Sequence, residues 1–190
     1  MHQLHGIVKP SEQTENKINI LAISGSLRAN SSNNAVIQTA ATLVAGKAGF
    51  IIYEGLGSLP HFNDSKDPPQ EVLTFRKLLA EADGVFICSP EYAFGVPGVL
   101  KNALDWTVST GEFVNKPVSL ITAATGGQNA HASLMLTLSA LSAHVLPDCT
   151  LLISFIRSKI DEEGNVKDID TRLAINNIMD TFINDIRNKN

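Results

Sequence analysis

Five short apolar segments recur along the chain, and each is followed by a polar or glycine-containing loop. Near-continuous apolar runs of this length are typical of strands buried on both faces, as in a parallel sheet. The segments therefore predict five strands, at residues 18–23, 49–53, 84–89, 118–124 and 145–153, the last interrupted by Pro147 and Asp148.

Between and after these segments, apolar residues recur with the spacing of amphipathic helices. The predicted helices cover residues 34–46, 68–82, 97–109, 130–143 and 171–188, and the polar segment 161–170 is predicted to be a loop. Regular alternation of strand and helix predicts one doubly wound α/β domain, with a five-stranded parallel sheet between two helical layers. Ligands of such folds bind at the carboxyl ends of the strands, so the loops there are the places to look for a site.

Composition narrows the classes of function. The chain has 190 residues, of which 44% are hydrophobic and 18% charged, with a net charge of −4 and no cluster of Arg or Lys. These values argue against nucleic-acid binding. No run approaches the length of a membrane span, and residues 1–17 lack the apolar core of a signal peptide. We expect those residues to form a flexible extension, residues 18–190 to form a single domain, and the protein to be cytoplasmic.

The cysteine and histidine positions predict no metal site. Cys88 and Cys149 lie within apolar runs and are expected in the core of a protein from a reducing compartment. The five histidines show no metal-binding spacing.

The loop after the first predicted strand carries hydroxyl, amide and guanidinium groups immediately before a helix. A helix N-terminus has unpaired N–H groups and a positive dipole, so such a loop suits a phosphate monoester. Caps and turns without a ligand also use Ser and Asn, and that alternative stays open. Neither a Walker pattern nor a GxGxxG dinucleotide pattern is present. The candidate residues are Ser26, Arg28, Ser31, Ser32 and Asn33.

Two further strand ends carry candidate ligand loops. In the loop after the third strand, prolines and glycines accompany Tyr92 and Phe94, which suits either a flat heteroaromatic ligand or a rigid turn with packed aromatics. After the fourth strand, Thr125, Gly126 and Gly127 allow backbone N–H groups to face a ligand, or form a plain strand-to-helix turn.

Together these loops resemble the NADPH-dependent FMN reductase family, the flavodoxin-like quinone, chromate and azo-dye reductases. The resemblance covers roughly residues 18–155. The pattern GSLRxxSxN is met from Gly25 to Asn33, the pattern Pro-Glu-Tyr by residues 90–92, and Thr-Gly-Gly by residues 125–127. The long pattern Pro-Gly-x-Leu-Lys-Asn-Ala-x-Asp-Trp, met by residues 97–106, is the most specific.

The resemblance implies a flavodoxin-like fold that binds FMN and passes electrons from NADPH or NADH to small acceptors such as quinones, chromate or azo compounds. It implies ping-pong kinetics, in which NAD(P)H first reduces the flavin and leaves before the acceptor binds. It also implies that no catalytic side chain is needed and that the protein is a homodimer or homotetramer. Helix 97–106 would serve fold and subunit packing. The implied FMN-binding residues are Ser26, Arg28, Ser31 and Asn33 at the phosphate, Pro90, Glu91, Tyr92 and Ala93 along the ring, and Thr125, Gly126 and Gly127 on its opposite side.

One departure from the family pattern concerns the position after Pro-Glu-Tyr, which is commonly Asn and often precedes a small polar residue. Here Ala93 and Phe94 stand at these positions. A side-chain amide near the flavin edge is therefore missing, and Phe94 becomes a candidate wall of the substrate pocket. Two alternatives remain open: a one-electron carrier like flavodoxin, and a flavin-free binding protein on the same fold.

Overall fold

The computed structural model describes residues 18–189, so the extension predicted for residues 1–17 lies outside the described residues. One parallel sheet of five strands forms, in the order β2-β1-β3-β4-β5. This confirms the predicted flavodoxin-like α/β class. The strands are β1 (Asn19–Ser24), β2 (Gly49–Tyr53), β3 (Gly84–Ser89), β4 (Val118–Ala123) and β5 (Thr150–Ile153).

Five helices cover the two faces of the sheet. Side chains of α1 and α5 join one buried apolar cluster, and side chains of α2, α3 and α4 join the other, so the sheet lies between two helical layers. The helices are α1 (Ser32–Leu43), α2 (Gln70–Glu81), α3 (Gly98–Asp105), α4 (Gln128–Ala140) and α5 (Ile169–Lys189). No helix within residues 18–189 is long and apolar enough to cross a membrane.

The fifth strand is shorter than the sequence pattern predicts. Residues Pro147–Cys149 form a short 3-10 turn, and β5 begins only at Thr150. Proline has no N–H to give to a strand ladder, which explains why pairing starts beyond Pro147.

The strand ends next to the site are aligned across the sheet. Ser24 pairs with Cys88, Ser89 with Thr122, and Ala123 with Ile153. The loops that follow β1, β3, β4 and β5 therefore leave the sheet side by side. The order of strands reverses between β1 and β3, which is where doubly wound folds open a crevice for ligands.

Gly25 lets the first two of these loops approach each other. Its N–H donates to the carbonyl of Cys88 at 2.8 Å, and a Cβ at this position would lie 2.8 Å from Oγ of Ser89. A larger residue would force the loops after β1 and β3 apart.

The helix of the long specific motif supports the chain that follows β2. Trp106 Nε1 and Asn102 Nδ2 both donate to the carbonyl of Pro60, and Asn102 Oδ1 accepts from the N–H of Phe62. These bonds give Asn102 and Trp106 a role in the fold; their predicted part in subunit packing stays a prediction.

Candidate functional site

The loop after β1 closes into a turn that ends as the cap of α1. Ser31 is the N-cap residue with extended backbone, and its Oγ accepts the N–H of Asn33 at 3.2 Å. The N–H of Ser31 donates to the carbonyl of Arg28 at 3.1 Å. The helix begins at Ser32; the N–H of Asn34 donates to the carbonyl of Ser31, which leaves the N–H of Ser32 as the first-turn donor without a partner among residues 18–189. This end of α1 is positively polarised.

Arg28 adds a full positive charge to that helix end. It lines a pocket together with Asn30, Ser31, Ser32 and Asn33. Within residues 18–189 its guanidinium takes part in no salt bridge. Arg28 is solvent-exposed, and its charge is therefore available to an anion in the pocket.

Ser26 connects the loops after β1 and β3 and lies behind the pocket. Its side chain is buried, and Oγ accepts the N–H of Arg28 at 3.3 Å. The hydroxyl of Tyr92 lies 3.3 Å from the same oxygen. Ser26 lines a neighbouring cleft that Arg28 also borders, and it does not line the pocket formed with Ser31, Ser32 and Asn33. A direct contact between Ser26 and a phosphate stays a prediction.

The amide of Asn33 is bonded inside the protein. The side chain is 2% exposed; Nδ2 donates to the carbonyl of Ala123 at 3.3 Å, and Oδ1 accepts from the thiol of Cys88 at 3.1 Å. Burial raises the pKa of Cys88, so this thiol keeps the proton that it donates. Asn33 thus fastens α1 to β3 and β4 beside the pocket that it also lines. Its predicted contact with a phosphate is not tested by these bonds.

Glu91 links the loop after β3 to the N-terminus of α4. Its carboxylate accepts the N–H of Ala130 at 2.8 Å and that of Gly127 at 3.2 Å. The carboxylate lies at the positive end of α4, where a negative charge is stabilised. Pro90 and Tyr92, its neighbours in the motif, line the same pocket as Arg28.

The loop after β4 is the third wall. Thr125 lines the pocket, whereas Gly126 and Gly127 lie beside it. Gly127 has a φ of +106°, and an added Cβ would lie 2.7 Å from Cδ1 of Leu152, so only glycine fits. Close to this loop, Nδ1 of His131 lies 2.9 Å from Oγ1 of Thr122, and burial lowers the pKa of the imidazole.

Ala93 and Phe94 form the tip of a two-residue hairpin. Tyr92 and Gly95 exchange both backbone hydrogen bonds, at 3.1 and 2.9 Å, and the φ angles of the two central residues are +48° and +60°. Positive φ at both positions is the mark of a type I′ turn. Phe94 is 80% exposed, and neither Ala93 nor Phe94 lines the pocket that contains Arg28; their predicted places beside the ring and the substrate stay predictions.

A fourth wall, which the sequence analysis did not include, comes from the chain after β5. The N–H groups of Phe155 and Ile156 donate to the carbonyls of Thr125 and Ala124, at 3.1 and 3.2 Å. This places Ile156 and Arg157 in the pocket lining. The signal was available, because β5 ends at the same edge as the other strands and an arginine follows within four residues.

The lining as a whole offers donors and positive charge to an anion, with apolar and ring surface beside them. Within residues 18–189 no group of three or more His, Cys, Asp or Glu is placed to hold a metal ion. The first turn of α1, the hydroxyls of Ser31 and Ser32 and the guanidinium of Arg28 make a donor set that fits a phosphate monoester. Next to it, Tyr92, Thr125 and the backbone of Pro90 border a cleft that a planar group can enter.

The sequence matches the NADPH-dependent FMN reductase family over residues 18–157. It is 31% identical over 180 residues to a 2-hydroxy-1,4-benzoquinone reductase of Burkholderia sp, covering 90% of this chain and 98% of that protein. It is 32% identical over 166 residues to an NAD(P)H-dependent FMN reductase of Pseudomonas aeruginosa, covering 83% and 89% of the two chains.

The fold matches that of a flavoenzyme. The structure of FerB, an NAD(P)H:(acceptor) oxidoreductase from Paracoccus denitrificans, superposes with a TM-score of 0.80 at 26% identity, covering 90% of this chain and 98% of that one.

Proposed function

The chain belongs to the NADPH-dependent FMN reductase family, and from this premise we propose that the pocket at the carboxyl edge of its sheet binds FMN with the phosphate at the N-terminus of α1. The protein is an NAD(P)H-dependent oxidoreductase whose cofactor is FMN. The observation that carries the proposed site is the coincidence of Arg28, the Ser31 cap and the first turn of α1 in one pocket wall.

Each part of the first loop has a separate task in this proposal. Arg28 and the N–H of Ser32 bind the phosphate, because they supply a charge and a donor that have no partner among residues 18–189. Ser31 holds the turn closed while its hydroxyl borders the phosphate. Asn33 and Ser26 keep the turn in place against β3, β4 and Tyr92, and any direct contact of theirs with the phosphate is additional.

The ring of the cofactor lies, in this proposal, between the loops after β3 and β4. Pro90 and Tyr92 border one side, and Thr125 with the glycines that follow borders the other. Glu91 fixes the distance between the two loops through its bonds to Gly127 and Ala130. The backbone N–H groups of these loops are available to the polar edge of the ring, where they stabilise negative charge.

Bound FMN supplies the redox chemistry, taking reducing equivalents from NAD(P)H and giving them to a second substrate. We propose small oxidised molecules as that substrate, with quinones first, because the Burkholderia relative is named as a benzoquinone reductase. Phe94 is proposed as an aromatic wall for planar acceptors, since its ring is exposed at the hairpin tip beside Tyr92. A homodimer or homotetramer and a cytoplasmic location are further parts of the proposal.

The test of the phosphate site is the substitution Arg28→Ala in purified protein freed of flavin. We expect FMN affinity to fall by about 1.5–3 kcal/mol, the range for a hydrogen bond to a charged group. Affinity for riboflavin, which lacks the phosphate, should stay the same. Flavin fluorescence during titration measures both, and Arg187→Ala, an exposed arginine on α5, is the control for net charge.

Two results would contradict this proposal. If Arg28→Ala and Arg187→Ala bound FMN with equal affinity, Arg28 would not be a phosphate-binding residue. Wild-type protein that binds neither FMN nor riboflavin at micromolar concentration would favour the flavin-free alternative.

A further inference from the structure

Arg157 lines the proposed phosphate pocket from the chain that follows β5. It follows β5 in a short 3-10 turn, Ile156–Lys159. The backbone before it is anchored twice to the loop after β4, by the N–H groups of Phe155 and Ile156. Phe155 has a φ of +54°, an uncommon conformation for a phenylalanine, and the chain turns there so that Ile156 is buried and Arg157 lines the pocket.

Arg157 forms no salt bridge with an acidic side chain within the described part of the chain. The salt bridges among residues 18–189 include neither Arg157 nor Arg28, although both line the same pocket. Glu91, the one carboxylate in that lining, is bonded to the N-terminus of α4. Two guanidinium groups that face one pocket repel each other unless an anion lies between them.

The charge of a phosphate monoester makes a second cation useful. Such a group carries about −1.5 to −2 charges near neutral pH. One arginine and the partial charge of about +0.5 at a helix N-terminus leave part of this charge uncompensated. Arg28 and Arg157 together with the end of α1 supply about +2.5, enough to compensate even a fully dianionic phosphate. Guanidinium groups also bind phosphate oxygens in a two-pronged geometry.

We infer that Arg157 is a second phosphate-binding residue, which closes on the FMN phosphate from the β5 side while Arg28 binds it from the β1 side. This inference rests on the proposed function, since it assumes that the pocket takes the phosphate of FMN. It assigns a ligand contact to the segment after β5, which none of the predicted site motifs contains.

The experiment compares FMN with riboflavin on flavin-free protein carrying Arg157→Ala or Arg157→Lys. For Arg157→Ala we expect the Kd for FMN to rise about tenfold, which corresponds to about 1.4 kcal/mol, with no change for riboflavin. Arg157→Lys keeps the charge but loses the planar fork, so its Kd for FMN should lie between those of Arg157→Ala and wild type. Arg187→Ala, with the same loss of charge on the distant helix α5, should match wild type for both flavins.

Three outcomes would overturn the inference and leave the proposed FMN site standing. The first is an FMN Kd in Arg157→Ala equal to that of wild type while Arg28→Ala binds weakly. The second is an equal loss of FMN and riboflavin affinity, which would assign Arg157 to the ring or to the fold. The third is an unchanged FMN Kd with a raised KM for NADPH but not NADH, which would assign Arg157 to the substrate's extra phosphate. Arg157 is exposed, and matching thermal melts would exclude misfolding as the cause of any loss.

Discussion

At the scale of single residues, the most unusual feature is the pair Ala93 and Phe94 at a turn that requires positive φ. Type I′ turns prefer Asn and Gly, because these residues adopt the left-handed conformation at little cost. Ala and Phe each give up about 1–2 kcal/mol there. This is a physical reason for an Asn at the first of these positions. Phe94 occupies the strained second position with 80% of its surface exposed. The strain and exposure of this aromatic are the reason to test the role proposed for its ring.

The two positions allow the strain and the ring to be separated. Phe94→Gly should raise the free energy of unfolding by up to about 1 kcal/mol, since relief of strain outweighs the larger entropy of glycine in the unfolded chain. It should also raise the KM for a planar quinone severalfold, because a stacked ring contributes about 0.5–1.5 kcal/mol. Urea denaturation and steady-state kinetics with the FMN-loaded protein measure the two effects.

Ala93→Gly is the matched control, because it relieves strain in the same turn and removes only a methyl group. It should stabilise the protein to a similar extent and leave the KM for the quinone unchanged. If both variants changed the KM alike, the turn's flexibility and not the ring of Phe94 would account for the effect.

At the scale of elements, the site depends on bonds between loops that no sequence pattern contains. The sequence correctly predicted the strands β2 and β3, the existence of all five helices and the three loops at β1, β3 and β4. It did not predict that the Glu91 carboxylate, on one loop, caps helix α4 after another, because the partners lie 36 and 39 positions away. The segment after β5 was not predicted either, because Ile156 and Arg157 lie outside the loops rich in Gly, Pro and Ser that predicted the other walls.

The link through Glu91 predicts a coupled loss of stability and flavin affinity. In Glu91→Gln the side-chain amide can accept from only one of the two N–H groups, and the negative charge at the positive end of α4 is gone. We expect the free energy of unfolding to fall by about 1–2 kcal/mol. The affinities for FMN and riboflavin should fall together, because the loops after β3 and β4 border the ring, which both flavins share. Glu81→Gln, at the exposed end of α2 and away from the pocket, loses the same charge and should behave as wild type.

Chemical denaturation and flavin titration of both variants would decide the role of Glu91. A Glu91→Gln protein that loses FMN affinity while its riboflavin affinity is unchanged would place the residue's effect at the phosphate. That result would contradict its proposed part in spacing the loops after β3 and β4.

At the scale of the whole molecule, features set by local sequence can be predicted, and features set by contacts between distant segments cannot. The apolar runs define strands that could pair with any neighbour, so they predict a parallel sheet but not its order β2-β1-β3-β4-β5. The flavodoxin-like architecture came from the resemblance of the loops. Conversely, the strained turn at Ala93 and Phe94 and the internal bonds of Asn33 become visible only once the chain is folded.

Because four loops from four strands build the proposed pocket, FMN should stabilise the entire fold and not one segment. A ligand that binds only the native state adds RT ln(1 + [L]/Kd), about 2.7 kcal/mol at a concentration of 100 times Kd. For a domain of this size each kcal/mol raises the Tm by about 2–4 °C, so calorimetry should show a rise of about 5–11 °C in one cooperative transition. Plotted against [L]/Kd, the shifts with FMN and with the weaker ligand riboflavin should follow one curve. The Arg28→Ala variant should need a higher FMN concentration for the same rise in Tm, by the factor by which its Kd for FMN has increased. A second transition that FMN leaves unmoved would mean that the ligand stabilises only part of the sheet, and would contradict a pocket shared by the ends of β1, β3, β4 and β5.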